Sequence, residues 1–148
     1  HCVTRRQRQM CIRDSLLSGQ RLNEAQENID QVLNIAPGNY PASIIKSKIL
    51  SSKKEFIKAE EILRDLLISK NRDPGLWIQL SEVQRAGKNI VGYHLSRGEY
   101  YTLIGDFDNA LNQFQFALSL SGNSFQTSET IMTKIKFAKE RLGKRRGF

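Results

Sequence analysis

The segment of residues 98–120 constrains the fold more than any other part of this chain. Two stretches with helical apolar periodicity flank Gly105 and Asp106, which predicts two amphipathic helices joined by a tight turn. Gly105 can adopt the left-handed conformation that ends the first helix, and the Asp106 carboxylate can cap the second. Gly98 and Ala110 are small, so the two helix backbones can approach each other closely. Because one helix pair cannot bury its own apolar face, the segment predicts further helical units beside it.

Four residues at this predicted helix crossing follow a spaced pattern. Gly98-x-x-Tyr101 in the first helix is followed by Ala110-x-x-x-Phe114 in the second. The spacing resembles the tetratricopeptide (TPR) pattern G-x-x-Y…A-x-x-x-F. The resemblance implies an all-α fold, a TPR-like α-solenoid of about seven antiparallel helices with a C-terminal capping helix. The repeat residues that it implies are Ala25, Ala59, Trp77, Leu80, Gly98, Tyr101, Gly105, Ala110, Phe114 and Ala117.

The repeat period supports this resemblance and contains one irregularity. The Ala-x-x-x-apolar motifs that begin at Ala25 and Ala59 lie 34 residues apart, which is the TPR period. The motif at Ala110 begins 51 residues after the one at Ala59, or one and a half periods later. The register therefore slips by half a repeat, and we expect the helix over residues 90–104 to have a partner on both sides.

Apolar periodicity predicts the other helices, and capping residues mark some of their starts. Asn23 with Gln26 resembles a capping box, and Asp73 before Pro74 is a typical cap followed by a first-turn proline. We expect the last helix to cap the open end of the array. Besides the helix that ends near Leu120, the predicted helices cover residues 23–35, 41–51, 55–68, 75–86, 90–104 and 125–142.

The basic charge of the chain lies at its two ends. Of the net charge of +8, residues 1–15 carry +3 and residues 134–148 carry +6, which leaves −1 for the rest. A nucleic-acid binder driven by these ends is one alternative, but the charge does not form a surface of the domain. No apolar stretch is long enough to cross a bilayer. We therefore expect neither nucleic-acid binding nor membrane insertion.

The chain divides into three parts, residues 1–15, 16–142 and 143–148. The first part lacks an apolar helical stripe and resembles translated sequencing-adapter read-through, so we interpret it as a non-native or disordered leader. A basic disordered arm is the alternative. Under the first interpretation, residues 16–18 remain from a partner helix whose beginning is missing, and apolar surface near Ile29 is partly exposed. The middle part is the TPR-like helical repeat domain, and the last is a basic frayed tail.

The sequence contains no recognisable catalytic motif. It has no H-E-x-x-H, C-x-x-C, G-x-S-x-G or P-loop pattern. Both cysteines, Cys2 and Cys11, lie in the leader, so the repeat domain has no disulfide or cysteine metal site. His94 occupies the place of the first bulky residue of the TPR pattern, and we expect it to pack. We expect no enzyme activity and no cofactor in this chain.

A narrower resemblance covers residues 73–142 most closely. The motifs that carry it are LWIQL at residues 76–80, HLSRGEYY at residues 94–101, GDFDNA at residues 105–110, FAL at residues 116–118 and GNSF at residues 122–125. They are similar to the C-terminal TPR region of bacterial periplasmic zinc metalloproteases related to the beta-barrel assembly-enhancing protease. Gly98 departs from the alanine that is frequent in those relatives.

This resemblance implies a partner-binding function. In that family an N-terminal H-E-x-x-H peptidase domain holds zinc, and the TPR region contacts outer-membrane assembly machinery and client barrels. None of the family's zinc or catalytic residues maps onto this chain, so a zinc metalloendopeptidase is implied only for the parent protein. We expect a substrate- or partner-binding TPR domain in the periplasm. A free-standing TPR adaptor without a protease, in the cytoplasm or tethered as a lipoprotein, is the alternative.

Helical phase assigns candidate residues to the inner face of the repeats. The inner helices of a solenoid line a concave surface that can bind a partner. We expect this groove to be lined by Ile44, Lys48, Ile78, Glu82, Arg85, Leu95 and Glu99.

Overall fold

The computed structural model describes residues 4–147 of this chain, without the side chains of residues 6–17. The described residues form seven α-helices and no strand, so the predicted all-α fold class is confirmed. Among the last four helices, each packs against the next one in sequence, and the first two helices pack against each other. The chain divides into two compact units, His1–Ala59 and Glu60–Phe148. The helices are α1 (Arg5–Ile35), α2 (Tyr40–Ser52), α3 (Phe56–Ser69), α4 (Pro74–Ala86), α5 (Ile90–Leu103), α6 (Phe107–Leu120) and α7 (Phe125–Arg146).

Two consecutive helix pairs have the same lengths and the same spacing. Each boundary of α4 and α5 lies 34 residues after the corresponding boundary of α2 and α3. Their N-caps, Asn39 and Asp73, have this spacing too, and each side chain accepts a hydrogen bond from the first turn of its helix. In both pairs a lysine with positive φ, Lys54 or Lys88, occupies the turn between the helices. One local construction is therefore used twice at a single period.

A buried serine occupies the same position in α2 and α4. Ser47 and Ser81 are 1% and 0% exposed, and their hydroxyls donate at 2.7 Å to the carbonyls of Ile44 and Ile78. A hydroxyl that is satisfied inside its own helix can be buried without a partner from another helix. The two serines are therefore equivalent positions of the two pairs.

The turn between α5 and α6 has the predicted form. Gly105 follows α5 with a φ of +81°, and Asp106 Oδ1 accepts from the backbone N–H of Asn109 at 3.2 Å. Above the turn, Gly98 lies directly against the ring of Phe114. A Cβ atom at Gly98 would lie 2.6 Å from Phe114 Cδ1 and 2.8 Å from Cζ, so only glycine permits this approach without a shift.

The core of the second unit lies between α5, α6 and α7. Ala110, Phe114 and Ala117 of α6 are 0%, 2% and 0% exposed. Ile131 and Ile135 of α7 complete the buried cluster. The partly buried residues packed against it are Val91, Leu95, Tyr101, Leu111 and Leu118.

The other predicted repeat residues are buried to different degrees. Ala59 of α3 and Leu80 of α4 are 0% and 2% exposed. Trp77 is half-buried, and its indole Nε1 donates to the carbonyl of Asn71 at 2.9 Å. Ala25 of α1 is half-buried as well.

Helix α1 differs from its prediction. We expected a helix that begins at Asn23 and a separate remnant over residues 16–18, but one continuous helix runs through both. These two expectations are wrong because Gly19 does not adopt a positive φ, and the residues that follow it are good helix formers. Ile35, the last residue of α1, is 87% exposed.

The ends of the chain follow the prediction only in part. Residues 1–3 and 148 lie outside the described part, and the interpretation of the first fifteen residues as a leader stays a prediction. Helix α7 continues four residues beyond its predicted end at Leu142. The Arg145 guanidinium donates to the carbonyl of Gly105 at 3.1 Å, and cations in a last turn interact favourably with the helix dipole. These interactions stabilise the extra turn.

Candidate functional site

The predicted groove residues of α4 lie on its exposed side. Glu82 and Arg85 form an ion pair at 2.8 Å, and both side chains are at least half exposed. Ile78 lies one turn before Glu82 and is half-buried. Because an exposed ion pair within one helix contributes little to stability, a partner can take over either charge at low cost.

The predicted groove residues of α5 are already engaged by the rest of the second unit. Glu99 forms an ion pair with Lys134 of α7. Leu95, one turn earlier, packs against the buried cluster of α6 and α7. Sequence reasoning missed Lys134, because a pair separated by 35 residues leaves no local signal. The charge of Glu99 is therefore balanced inside the unit.

The remaining two groove residues lie on α2. Ile44 is half-buried, and Lys48, one turn later, is exposed. They belong to the unit His1–Ala59, whereas the five groove residues of α4 and α5 belong to Glu60–Phe148. The structure brings Glu82 together with Arg85, and the groove as a whole stays a prediction.

A buried glutamine connects α3, α4 and α5. Gln84 is 2% exposed; its Nε2 donates to Glu60 Oε1 at 3.0 Å, and its Oε1 accepts from the Ser96 hydroxyl at 2.6 Å. Sequence reasoning missed this network, although Gln84 continues the row of buried positions at Leu76 and Leu80 in steps of four. That row was the signal that could have indicated its burial.

Glu60 is the titratable group of this network. Burial of its carboxyl raises the pKa, but hydrogen bonds from Gln84, Arg64 and Asn89 and the charge of Arg64 lower it by more. The net result is a pKa for Glu60 below its ordinary value. The carboxylate is therefore a structural acceptor that holds three helices together, and it is ionised at neutral pH.

A stripe of large side chains runs along one side of α5. Its members recur in alternating steps of three and four residues, which places them on one line of the helix surface. The two ends are exposed, Ile90 by 42% and Ile104 by 50%, and the central members are half-buried. We call this line the α5 stripe; it consists of Ile90, Tyr93, Arg97, Tyr100 and the C-cap residue Ile104.

Arg97 lies at the centre of the α5 stripe, and it pairs with none of the described carboxylates. Its Nη2 donates to the Tyr101 hydroxyl at 3.0 Å, and its guanidinium carbon lies 5.4 Å from the centre of the Tyr101 ring. Its Nε is buried and has no hydrogen-bond partner. Within the described part of the chain no acidic side chain forms an ion pair with it. Arg97 thus has donor capacity left over.

Aromatic rings border the α5 stripe on the side of α6. The His94 ring lies 5.0 Å from that of Tyr93 and 5.4 Å from that of Phe116, which is 54% exposed. Nδ1 of His94 is 2.8 Å from Gln113 Oε1. These contacts agree with the packing role expected for His94. Together with the stripe they form an aromatic surface that the groove prediction did not include.

The described residues offer no candidate metal centre, since no three His, Cys, Asp or Glu side chains among them are grouped to hold an ion. Likewise, no helix in the described part is long and apolar enough to cross a membrane.

No protein-family model matches the chain, and a search of curated proteins gives no match. The two exposed surfaces of α4 and α5 described above are the candidate sites that their geometry supports.

Proposed function

We propose that this chain is a protein–protein interaction scaffold built from TPR-like helix pairs. The observation that carries the proposal is the 34-residue spacing of every helix boundary between the pair α2–α3 and the pair α4–α5. This spacing equals the TPR period, and helix pairs at a fixed period are typical of repeat proteins that bind other proteins.

The packing of α6 supports the proposed half-repeat slip. Ala110 is the fourth residue of α6 and fully buried, as is Ala59, the fourth residue of α3. The fourth residue of α5 is Tyr93, which is large and only half-buried. In this account α5 is the second helix of one pair and the first helix of the next.

The surface of α7 supports its proposed role as a terminal cap. Its buried face, formed by Ile131, Ile135, Ala138 and Leu142, includes the two isoleucines of the core cluster with α6. A terminal unit needs a polar outer face, because no further repeat covers it. The opposite face of α7 carries exposed polar side chains, which are Glu129, Thr133, Lys136, Glu140 and Lys144.

The narrower part of the proposal concerns the partner. We infer that the chain is the substrate- or partner-binding TPR domain of a periplasmic zinc metalloprotease, with outer-membrane assembly proteins or client barrels as partners. Its support is the sequence of residues 76–80, 94–101 and 105–110, of which the second contributes His94, Arg97 and Tyr100 to the aromatic surface of α5. The zinc ion would belong to the peptidase domain of the parent protein. A free-standing TPR adaptor remains the competing function.

A capture experiment with purified outer-membrane assembly proteins tests this function. The full chain is immobilised and compared with a Glu82→Lys, Arg85→Glu double variant, which keeps one ion pair in reversed order and so leaves the fold intact. We expect the natural chain to capture the proteins and the double variant to capture less. Equal capture by both removes α4 from the binding surface, and no capture by either contradicts the proposed partner.

A further inference from the structure

We propose that the α5 stripe is the docking surface for an amphipathic helix that carries a carboxylate between apolar side chains. This inference rests on the proposed protein-binding function and adds to it a surface and a class of partner. The surface lies on a different side of α5 from the predicted groove residues Leu95 and Glu99, which face the core cluster and Lys134 of α7.

The spacing of the stripe indicates a helical partner. Ile90, Tyr93, Arg97, Tyr100 and Ile104 follow steps of three, four, three and four residues. This is the spacing of a seam along which one helix packs against another. The stripe spans four turns, or about 21 Å, so a helix of similar length can cover it. The apolar ends and the two tyrosines supply contact area of the kind that dominates protein interfaces.

The charge of the stripe indicates a carboxylate near the centre of that helix. Arg97 has a buried Nε without a hydrogen-bond partner, and none of the described acidic side chains pairs with its guanidinium. A carboxylate provides two acceptor oxygens, and a guanidinium binds it through two parallel N–H donors. Because Nε is buried and Nη2 donates to the Tyr101 hydroxyl, the Arg97 side chain must turn away from Tyr101 to present both donors to a carboxylate. A partner carboxylate would thus satisfy a group that the chain itself leaves unsatisfied.

The side of α5 that carries the predicted groove residues Leu95 and Glu99 is less suited to a charged partner. Glu99 already pairs with Lys134, so a charged partner there must first break an ion pair. Exposed apolar side chains also lie beside the stripe, with Phe116 of α6 54% exposed. The positive charge of Arg97 and the exposed apolar side chains therefore occur together at the stripe.

A phage-displayed library of random 16-residue peptides, selected on the immobilised full chain, tests the inference. We expect selected peptides with apolar residues at helical spacing around a central Asp or Glu. Loss of one charge-assisted hydrogen-bonded pair should weaken their binding to an Arg97→Gln variant roughly 10- to 100-fold. Binding to a Lys134→Gln control, on the other side of α5, should change little.

A second variant keeps the test decisive if Arg97→Gln loses its helical circular dichroism. Phe116→Ala changes an exposed ring and should also weaken the selected peptides. Selected peptides without a carboxylate, or with undiminished binding to both variants, would overturn the inference while leaving a protein-binding scaffold. If no peptide is enriched at all, the inference is overturned, and the capture experiment with outer-membrane assembly proteins decides the proposed function separately.

Discussion

Replacing Gly98 by alanine tests the close approach of α5 and α6. The added Cβ would lie 2.6 Å from Phe114 Cδ1 and 2.8 Å from Cζ, well inside van der Waals contact. Phe114 is 2% exposed and its ring is enclosed by the core cluster, so it cannot rotate away. Overpacking of this kind costs about 1–3 kcal/mol. Alanine is better than glycine in a helix by about 1 kcal/mol, which offsets part of that cost.

The expected net effect of Gly98→Ala is a loss of up to about 2 kcal/mol in the free energy of unfolding. Urea unfolding followed by circular dichroism measures it. Gly143→Ala in α7 is a matched control, because a Cβ there meets nothing within 4 Å. The control should be neutral or slightly stabilising, since only the helix preference of alanine acts there.

A double variant separates the clash from other causes. Phe114→Leu removes the ring that the new Cβ would meet, so Gly98→Ala should cost less in the Phe114→Leu background than in the natural chain. Residues in direct contact give interaction energies of about 0.5–3 kcal/mol in such cycles. Additive effects, or a Gly98→Ala variant more stable than the natural chain, would refute the packing argument.

Three further predictions concern the network, the cap and the first helix. Glu60 has a lowered pKa in the folded chain, so its contribution to stability is present above the ordinary Glu pKa of about 4.3 and is lost as pH falls below it. In urea titrations, the difference in free energy of unfolding between the natural chain and Glu60→Gln should therefore shrink as the pH is lowered below this value. Asp106→Ala should lower the free energy of unfolding by about 1 kcal/mol, because it removes the N-cap of α6. Asp108→Ala should lower it by less, because the contact of Asp108 with Arg146 is long at 3.5 Å. Amide hydrogen exchange should be fastest before residue 36, where no described residue of α1 is fully buried, and slow exchange there would contradict the expected exposure.

Local signals predicted most of the helix boundaries. The helices α2 and α3 begin and end within one residue of their predicted bounds, because turn residues enclose both helices. The Gly105–Asp106 turn was predictable for the same reason, since a positive φ and a carboxylate cap are properties of single residues. The start of α1 was not predictable, because a capping pattern at Asn23 also occurs inside continuous helices.

The interactions of the candidate site were less predictable than the helices. The pair of Glu99 and Lys134 and the contacts of Gln84 join residues that lie far apart in sequence, and their geometry depends on tertiary packing. The individual motif residues around Arg97 were visible in the sequence as part of HLSRGEYY. Their arrangement as an exposed stripe with an unsatisfied guanidinium required the side-chain contacts.

The coding sequence upstream of residue 16 tests the central functional claim most directly. If the chain is the partner-binding domain of a zinc metalloprotease, the natural transcript should encode an H-E-x-x-H peptidase domain ahead of residue 16, in place of the first fifteen residues, which we interpret as a leader. Long-read sequencing of the natural transcript gives the answer. A transcript that encodes no such motif would contradict the protease assignment and favour the free-standing adaptor.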